Sequence, residues 1–171
     1  PVILYDIPGR CGGNMVPARI ILELAREGTI AGLKWASGNL DQLMEVLADR
    51  PEGFKVFSGD DNLTLTAMSL GADGVISVAS NLVPGAIVNL VNEMNREQRS
   101  SAAAEAEHFR LLPLMRAMFI ETNPIPVTEA MAMVWPHVFK PVFRLPMCRM
   151  TEPNRKKLLS VLTEYGLIKA E

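Results

Sequence analysis

The sequence predicts an α/β protein with parallel strands, followed by a helical region. Short apolar segments rich in β-branched residues alternate four times with amphipathic segments before about residue 95, and this alternation indicates parallel strands joined by helical crossovers. Polar and glycine residues cluster directly after the apolar segments, where ligands bind in α/β folds. From Gln98 onward the apolar residues keep a helical spacing without further strands.

Each predicted strand is a short apolar run that ends in turn residues. The strands are residues 2–5, 30–34, 54–57 and 74–78. Near-continuous apolar runs of this length are typical of parallel strands buried on both faces. The helices between them begin near Pro17, Asn39, Asp60 or Asp61, and Pro84. Asn39 can cap its helix, and Gln42 stands at the capping-box distance from it, while Asp60 or Asp61 can cap the next.

The C-terminal third is predicted to be helical. A long helix contains Pro113, which should kink it. A rigid break at 123–126 precedes a short helix that reaches about Val134, and a last helix spans Glu152 to Tyr165. We therefore divide the chain into an α/β part, residues 1–97, and a helical part, residues 98–171.

Composition excludes several classes of partner. The net charge is −2 and the basic residues are not clustered, so nucleic acid and anionic membranes are poor candidates. No apolar run approaches the ~20 residues that span a bilayer. Cys11 and Cys148 suit a reducing compartment, so we expect a cytoplasmic protein, although the sequence leaves a disulfide between them open. His108 and His137 have no neighbours at metal-ligand spacing, so we expect no metal site.

Lys34 is the candidate nucleophile. It stands at the end of the second apolar strand, where burial would lower its pKa and leave a neutral amine that can form an imine with a carbonyl. The alternative is a strand-end lysine that reaches solvent. The chain begins inside an apolar strand and without Met, so we expect part of the protein to precede residue 1.

Three further candidates follow strand ends near Lys34. Tyr5 ends the first strand and could relay protons, or could be a core tyrosine. Arg10 lies in the loop after it and could hold a carboxylate, or could be a surface arginine. Gly59 could let a ligand approach the backbone, or could serve a turn only.

The sequence resembles the dihydrodipicolinate synthase / N-acetylneuraminate lyase family in motifs along nearly its whole length. They are residues 5–10, 32–38, 58–61, 71–77, 123–126 and 144–147. The resemblance implies a (β/α)₈ TIM barrel with a C-terminal helical domain, of which residues 1–97 would supply strands 5 to 8. This chain departs from the family by having Asp6 in place of Asn, Trp35 in place of an acidic residue, and Thr128 in place of Lys.

The resemblance also implies a role for each site residue. Lys34 matches the imine-forming lysine and Tyr5 the proton-relay tyrosine. Arg10 matches an arginine that holds the carboxylate of aspartate semialdehyde, and Ile76 matches a residue whose backbone carbonyl lies near bound pyruvate. The family's pyruvate-binding threonines, and a tyrosine from a neighbouring subunit, would come from strands that precede residue 1.

The implied activity is condensation of pyruvate with L-aspartate 4-semialdehyde to 4-hydroxy-tetrahydrodipicolinate, in lysine and diaminopimelate biosynthesis. It needs no cofactor, because the imine on Lys34 is itself the electron sink. The family further implies a homo-oligomer, a dimer or a tetramer. Two alternatives stay open: N-acetylneuraminate lyase or another pyruvate-dependent aldolase of the family, and a non-catalytic fragment or paralogue that acts as an assembly module.

Overall fold

The computed structural model describes residues 1–95 and 101–169. It contains two compact units. The first contains Pro1–Ser77, and the second contains Val78–Asn92 and the chain from Ala102 onward. The predicted boundary between residues 97 and 98 lies outside the described residues and stays a prediction.

The first unit contains a four-stranded parallel sheet. Its strands are β1 (Ile3–Asp6), β2 (Gly32–Trp35), β3 (Lys55–Ser58) and β4 (Gly74–Val75), and they lie side by side in chain order. The predicted α/β class with parallel strands is confirmed. Strand β4 is shorter than predicted, although the Ile76 N–H still donates to the Ser58 carbonyl at 2.9 Å beyond its end.

Helices α1 (Ala18–Arg26), α2 (Leu40–Asp49) and α3 (Thr64–Ser69) connect the strands. Asn39 caps α2 as predicted, because its side chain accepts from the Gln42 N–H at 3.0 Å. The second hydrogen bond of a capping box, from the Asn39 N–H to the Gln42 side chain, is not made. The Asn39 N–H instead donates to Ser37 Oγ at 3.2 Å, so the Gln42 side chain is free for other partners.

The predicted cap of α3 by Asp60 or Asp61 is wrong. The N-cap residue of α3 is Leu63, whose apolar side chain makes no capping hydrogen bond. Asp60 precedes a single 3₁₀ turn, and its side chain makes no capping hydrogen bond there either. The turn comprises Asp61–Leu63, so α3 begins only at Thr64, which moves the helix start away from the acidic pair.

Alternation along the strands gives the sheet two different faces. Leu33, Trp35 and Val56 have no solvent exposure and pack in one core with residues of the helices. As predicted from alternation, Trp35 therefore points away from Lys34. On the opposite face Ile3 is 47% exposed and Tyr5 is 41% exposed. This bare face is unusual, because parallel sheets are normally covered on both sides.

The later helices are α4 (Pro84–Asn95), α5 (Ser101–Ala117), α6 (Ile125–Val134) and α7 (Glu152–Glu164). Helix α5 contains Pro113 without ending there. Within the second unit Arg149 makes two hydrogen bonds, of 2.7 and 2.9 Å, to the buried carboxylate of Glu129. Among the described residues no helix is long and apolar enough to cross a membrane. Both cysteines are free and exposed.

Candidate active site

Three side chains form a row across the bare face of the sheet. In the strand register Tyr5 pairs with Lys34, and Lys34 pairs with Phe57. The Lys34 Nζ lies 4.1 Å from the centroid of the Tyr5 ring. The structure therefore brings the two predicted catalytic residues together, with the amine over the face of the ring.

Lys34 lies in an environment that favours its neutral amine. Burial is the main cause that lowers its pKa from 10.5, and the positive charge of Arg10 adds to this. The charges of Asp60 and Asp61 oppose the effect without cancelling it. A half-buried lysine with a lowered pKa is a stronger candidate nucleophile than a lysine in water, because more of it carries a free lone pair.

Tyr5 has the opposite shift. Burial raises the pKa of its hydroxyl above 10.0; Arg10 acts against this and Asp60 adds to it. The hydroxyl is therefore protonated at neutral pH and is available as a donor. A protonated phenol beside a neutral amine can give a proton to a departing hydroxyl and take it back, as carbinolamine dehydration requires.

Gly59 packs directly against Lys34. A Cβ at this position would lie 3.1 Å from Lys34 Cε, 2.8 Å from the Ala36 Cβ and 3.1 Å from the Trp35 carbonyl oxygen. The Gly59 N–H also donates to that carbonyl at 2.6 Å. The missing side chain is thus needed for the approach of strand β2 and for the path of the lysine, while the predicted contact with substrate stays a prediction.

Asp60, which the sequence assigned to a helix cap, is a further candidate for the site. Its carboxyl group influences both Lys34 and Tyr5. Burial is the main cause that raises its own pKa above 3.8; Asp61 adds to this and Lys34 acts against it. The signal that could have found it is its place directly after Gly59, at the carboxyl end of β3.

Arg10 and Ile76 follow the carboxyl ends of the two outermost strands of the sheet, β1 and β4. Arg10 ends a 3₁₀ turn, Pro8–Arg10, and is exposed. Its charge opposes the rise in the pKa of Tyr5 and adds to the lowering of the pKa of Lys34, so the guanidinium is within electrostatic reach of the row. Ile76 follows β4 and is 38% exposed. The predicted role of its carbonyl stays a prediction.

The arrangement supplies a nucleophilic amine, a proton donor and a cation for an anionic substrate. In the described part of the chain, no group of three His, Cys, Asp or Glu side chains could hold a metal ion. A cavity of about 600 Å³ lies in the second unit, between Met133, Phe139 and Arg149 among others. It contains none of the predicted site residues.

Comparisons with known proteins agree on one family. The model of the Dihydrodipicolinate synthetase family matches residues 1–165. The chain is 44% identical over 168 residues to 4-hydroxy-tetrahydrodipicolinate synthase of Syntrophus aciditrophicus, covering 98% of this chain and 56% of the relative. It is 43% identical over 169 residues to the enzyme of that name from Endomicrobium trichonymphae, covering 99% and 56%.

The fold comparison leads to the same family. The structure superposes on the crystal structure of dihydrodipicolinate synthase from Aquifex aeolicus with a TM-score of 0.90, at 38% identity, covering 99% of this chain and 57% of that one. The chain thus spans a little over half the length of the curated relatives that it matches. The similarity extends over the sheet, the site and the later helices alike, and the chain belongs to the dihydrodipicolinate synthetase family.

Proposed function

We propose that this chain carries the imine-forming site of a pyruvate-dependent class I aldolase, a lyase of the 4-hydroxy-tetrahydrodipicolinate synthase type in lysine and diaminopimelate biosynthesis. The observation that carries the proposal is Lys34, a half-buried amine of lowered pKa, 4.1 Å from the ring of a protonated tyrosine. The names of the similar proteins support the same reaction.

In the proposed reaction the neutral amine of Lys34 attacks the ketone carbon of pyruvate. The carbinolamine loses water to give an imine, with Tyr5 donating a proton to the departing hydroxyl. Loss of a methyl proton converts the imine to an enamine. The enamine carbon forms a bond to the aldehyde carbon of aspartate semialdehyde. Attack of the semialdehyde amine on the imine carbon closes the ring and releases Lys34. Since the imine serves as the electron sink, we propose that no metal or organic cofactor takes part.

Arg10 is the proposed carboxylate ligand for aspartate semialdehyde. A guanidinium can bind a carboxylate through two parallel hydrogen bonds, which fixes orientation as well as charge. Its exposed position allows a substrate to reach it, and its charge acts on the pKa of both Lys34 and Tyr5, which supports the proposal. Ile76 and Gly59 are proposed to contact pyruvate and its imine through the backbone.

We propose that the four strands are strands 5 to 8 of a (β/α)₈ barrel. The bare face that carries Ile3 and Tyr5 supports this, because closing a barrel would cover it with the side chains of four further strands. A full-length cytoplasmic homo-oligomer, a dimer or a tetramer, fits the family. Pyruvate and aspartate semialdehyde are the proposed partners.

Reduction of the imine tests the proposal. Full-length protein incubated with pyruvate and borohydride should gain, on the peptide that contains Lys34, the mass of pyruvate less water plus two hydrogens. An unmodified Lys34 at saturating pyruvate would contradict it. The assembly-module alternative predicts normal oligomers in light scattering without this adduct.

A second assay separates the possible aldehyde substrates. The proposal predicts consumption of pyruvate with aspartate semialdehyde and no cleavage of N-acetylneuraminate. The opposite preference, with the Lys34 adduct still present, would keep the imine chemistry and assign the lyase branch of the family instead.

A further inference from the structure

A buried polar cluster holds the end of the loop that carries Arg10. Asp6 is 2% exposed and Gln42 is 4% exposed. The Val16 N–H donates to Asp6 Oδ1 at 3.2 Å. Gln42 Nε2 donates to Asp6 Oδ2 at 2.6 Å and to the Val16 carbonyl at 2.6 Å. Both backbone groups of Val16 are therefore bound by two side chains from different elements.

The Gln42 amide has one orientation that satisfies this cluster. Its oxygen accepts from Ser37 Oγ at 2.5 Å, so both hydrogens of its nitrogen are available for Asp6 and Val16. The Ser37 hydroxyl has used its only proton in this bond, and it accepts from the Asn39 N–H. A buried amide with every donor and acceptor engaged is fixed in place, because any rotation would leave a polar group unsatisfied.

Val16 is the point at which the loop between β1 and α1 returns to the body of the unit. Upstream of it, backbone hydrogen bonds at Cys11, Gly13 and Asn14 join residues of the same loop. Residues 9–15 are all exposed. The two ends of the loop are held by strand β1 on one side and by the bonds to Val16 on the other.

We propose that Asp6 and Gln42 are positioning residues for Arg10. This inference rests on the proposed function, because it assigns to the pair a share in binding the aldehyde substrate. Asp6 follows Tyr5 directly, and Gln42 lies in the first turn of the helix after Lys34. The pair thus ties the end of the loop that carries Arg10 to the strand that carries Tyr5 and to the helix that follows Lys34.

The variant Gln42→Met tests this role. Methionine keeps the length and helix propensity of glutamine, but it removes both donors, so Asp6 and the Val16 carbonyl each lose a partner. In the full-length protein the KM for aspartate semialdehyde should rise roughly tenfold, the factor that corresponds to about 1.4 kcal/mol. The kcat and the rate of borohydride trapping with pyruvate should stay within about twofold.

Two further variants separate positioning from general stability. Asp73→Asn removes a carboxylate that also accepts a backbone N–H, from Val56, but at the amino end of the strands. It should destabilise the protein without changing the KM for the aldehyde. Asp6→Asn perturbs the cluster from its other side. It keeps an oxygen for the Val16 N–H, but its amide nitrogen would face the Gln42 nitrogen, and two donors cannot bond each other. The KM for the aldehyde should therefore rise in this variant as well.

Amide hydrogen exchange gives a readout that does not require turnover. Exchange in residues 9–16 should be severalfold faster in Gln42→Met than in Asp73→Asn, measured under native conditions. An unchanged aldehyde KM in Gln42→Met, or an equal rise in Asp73→Asn, would overturn the inference. If the wild-type protein forms no pyruvate adduct, the proposed function fails, and equal exchange of the loop in the two variants would overturn the positioning role independently.

Discussion

The two ends of the parallel sheet hold their charges in different ways. At the amino end Asp73 accepts from Lys55 at 2.9 Å, from Arg50 at 2.5 Å and from the Val56 N–H at 2.9 Å. At the carboxyl end Lys34 lies over an aromatic ring, and Asp60 influences it through space. Asp73 is thus matched with direct partners, whereas Lys34 and Asp60 influence each other in partly buried surroundings.

The pKa shifts follow from this difference. Burial alone would raise the pKa of Asp73, but the hydrogen bonds from Val56, Lys55 and Arg50 outweigh it and lower the pKa below 3.8. For Lys34 and Asp60 burial prevails. It lowers the pKa of Lys34 and raises the pKa of Asp60, so in each case the neutral form is favoured. Matched charges stabilise a fold, while a lowered lysine pKa leaves more of the neutral amine that can attack a carbonyl.

The largest expected effect comes from exchanging the lysines at the two ends for methionine. Lys34→Met should abolish the pyruvate adduct and lower kcat roughly a thousandfold or more, because the nucleophile is lost. Its free energy of unfolding should change by less than about 1 kcal/mol, since a half-buried amine and one cation–π contact are exchanged for apolar burial. The matched variant Lys55→Met should keep its activity. Product formation measures the activity of both variants, and urea unfolding measures their stability. A Lys34→Met protein that still forms product would refute the assignment of Lys34 as the nucleophile.

Replacing one glycine at each end of the sheet by alanine compares how tightly the two ends are packed. A Cβ at Gly59 would meet Ala36 and Lys34, and one at Gly32 would lie 2.7 Å from the Lys55 carbonyl oxygen. Gly59→Ala and Gly32→Ala should each lower the free energy of unfolding by roughly 1–3 kcal/mol. Only Gly59→Ala should also slow pyruvate adduct formation, because it displaces the lysine. Equal trapping rates in the two variants would show that Gly59 serves the fold alone.

The ion pairs and hydrogen bonds of Asp73 at the amino end should make the free energy of unfolding depend on pH in acid. Because the folded-state pKa of Asp73 is depressed, its contribution is present above the ordinary value of 3.8 and is lost as the pH falls through the folded value. Asp73→Asn should lower the free energy of unfolding by about 1–2 kcal/mol at pH 7. Urea unfolding between pH 7 and pH 2 should show the difference shrinking in acid, and a constant difference would argue against this linkage.

The smallest expected effect is a shift in the pH dependence of imine formation. Asp60 raises the pKa of Lys34 and Arg10 lowers it. Asp60→Asn should therefore move the midpoint of borohydride trapping to lower pH, whereas Arg10→Met should move it to higher pH. Shifts in the same direction for both variants would show that these charges do not act on Lys34 as the structure indicates.

Much of the fold follows from local patterns in the sequence. The apolar runs and the helical spacing predict the alternation of strands and helices, and Asn39 caps its helix as its position suggests. The pairing of Tyr5 with Lys34 follows from two strand ends in one parallel sheet. The alternation and the cap depend on short-range rules, and the pairing needs only the further rule that successive strands joined by helices lie parallel and side by side.

The rest depends on contacts between residues far apart in the chain. Gln42 stands at a capping-box position, yet its side chain turns to Asp6, 36 residues away. Asp60 suits a helix cap, but a 3₁₀ turn displaces the helix and leaves its carboxyl group near Lys34. In both cases a local motif competes with a tertiary partner, and spacing alone does not indicate which interaction prevails.

The central claim is that burial at the carboxyl end of the sheet favours the neutral amine of Lys34. Competitive labelling of the full-length protein with an amine-specific reagent, followed by mass spectrometry of the Lys34 peptide across a pH series, measures its titration directly. We expect half-maximal labelling of Lys34 below pH 10.5, the ordinary value for lysine. A midpoint at or above 10.5 would contradict the account, because Lys34 would then be an ordinary ammonium group at the end of a strand.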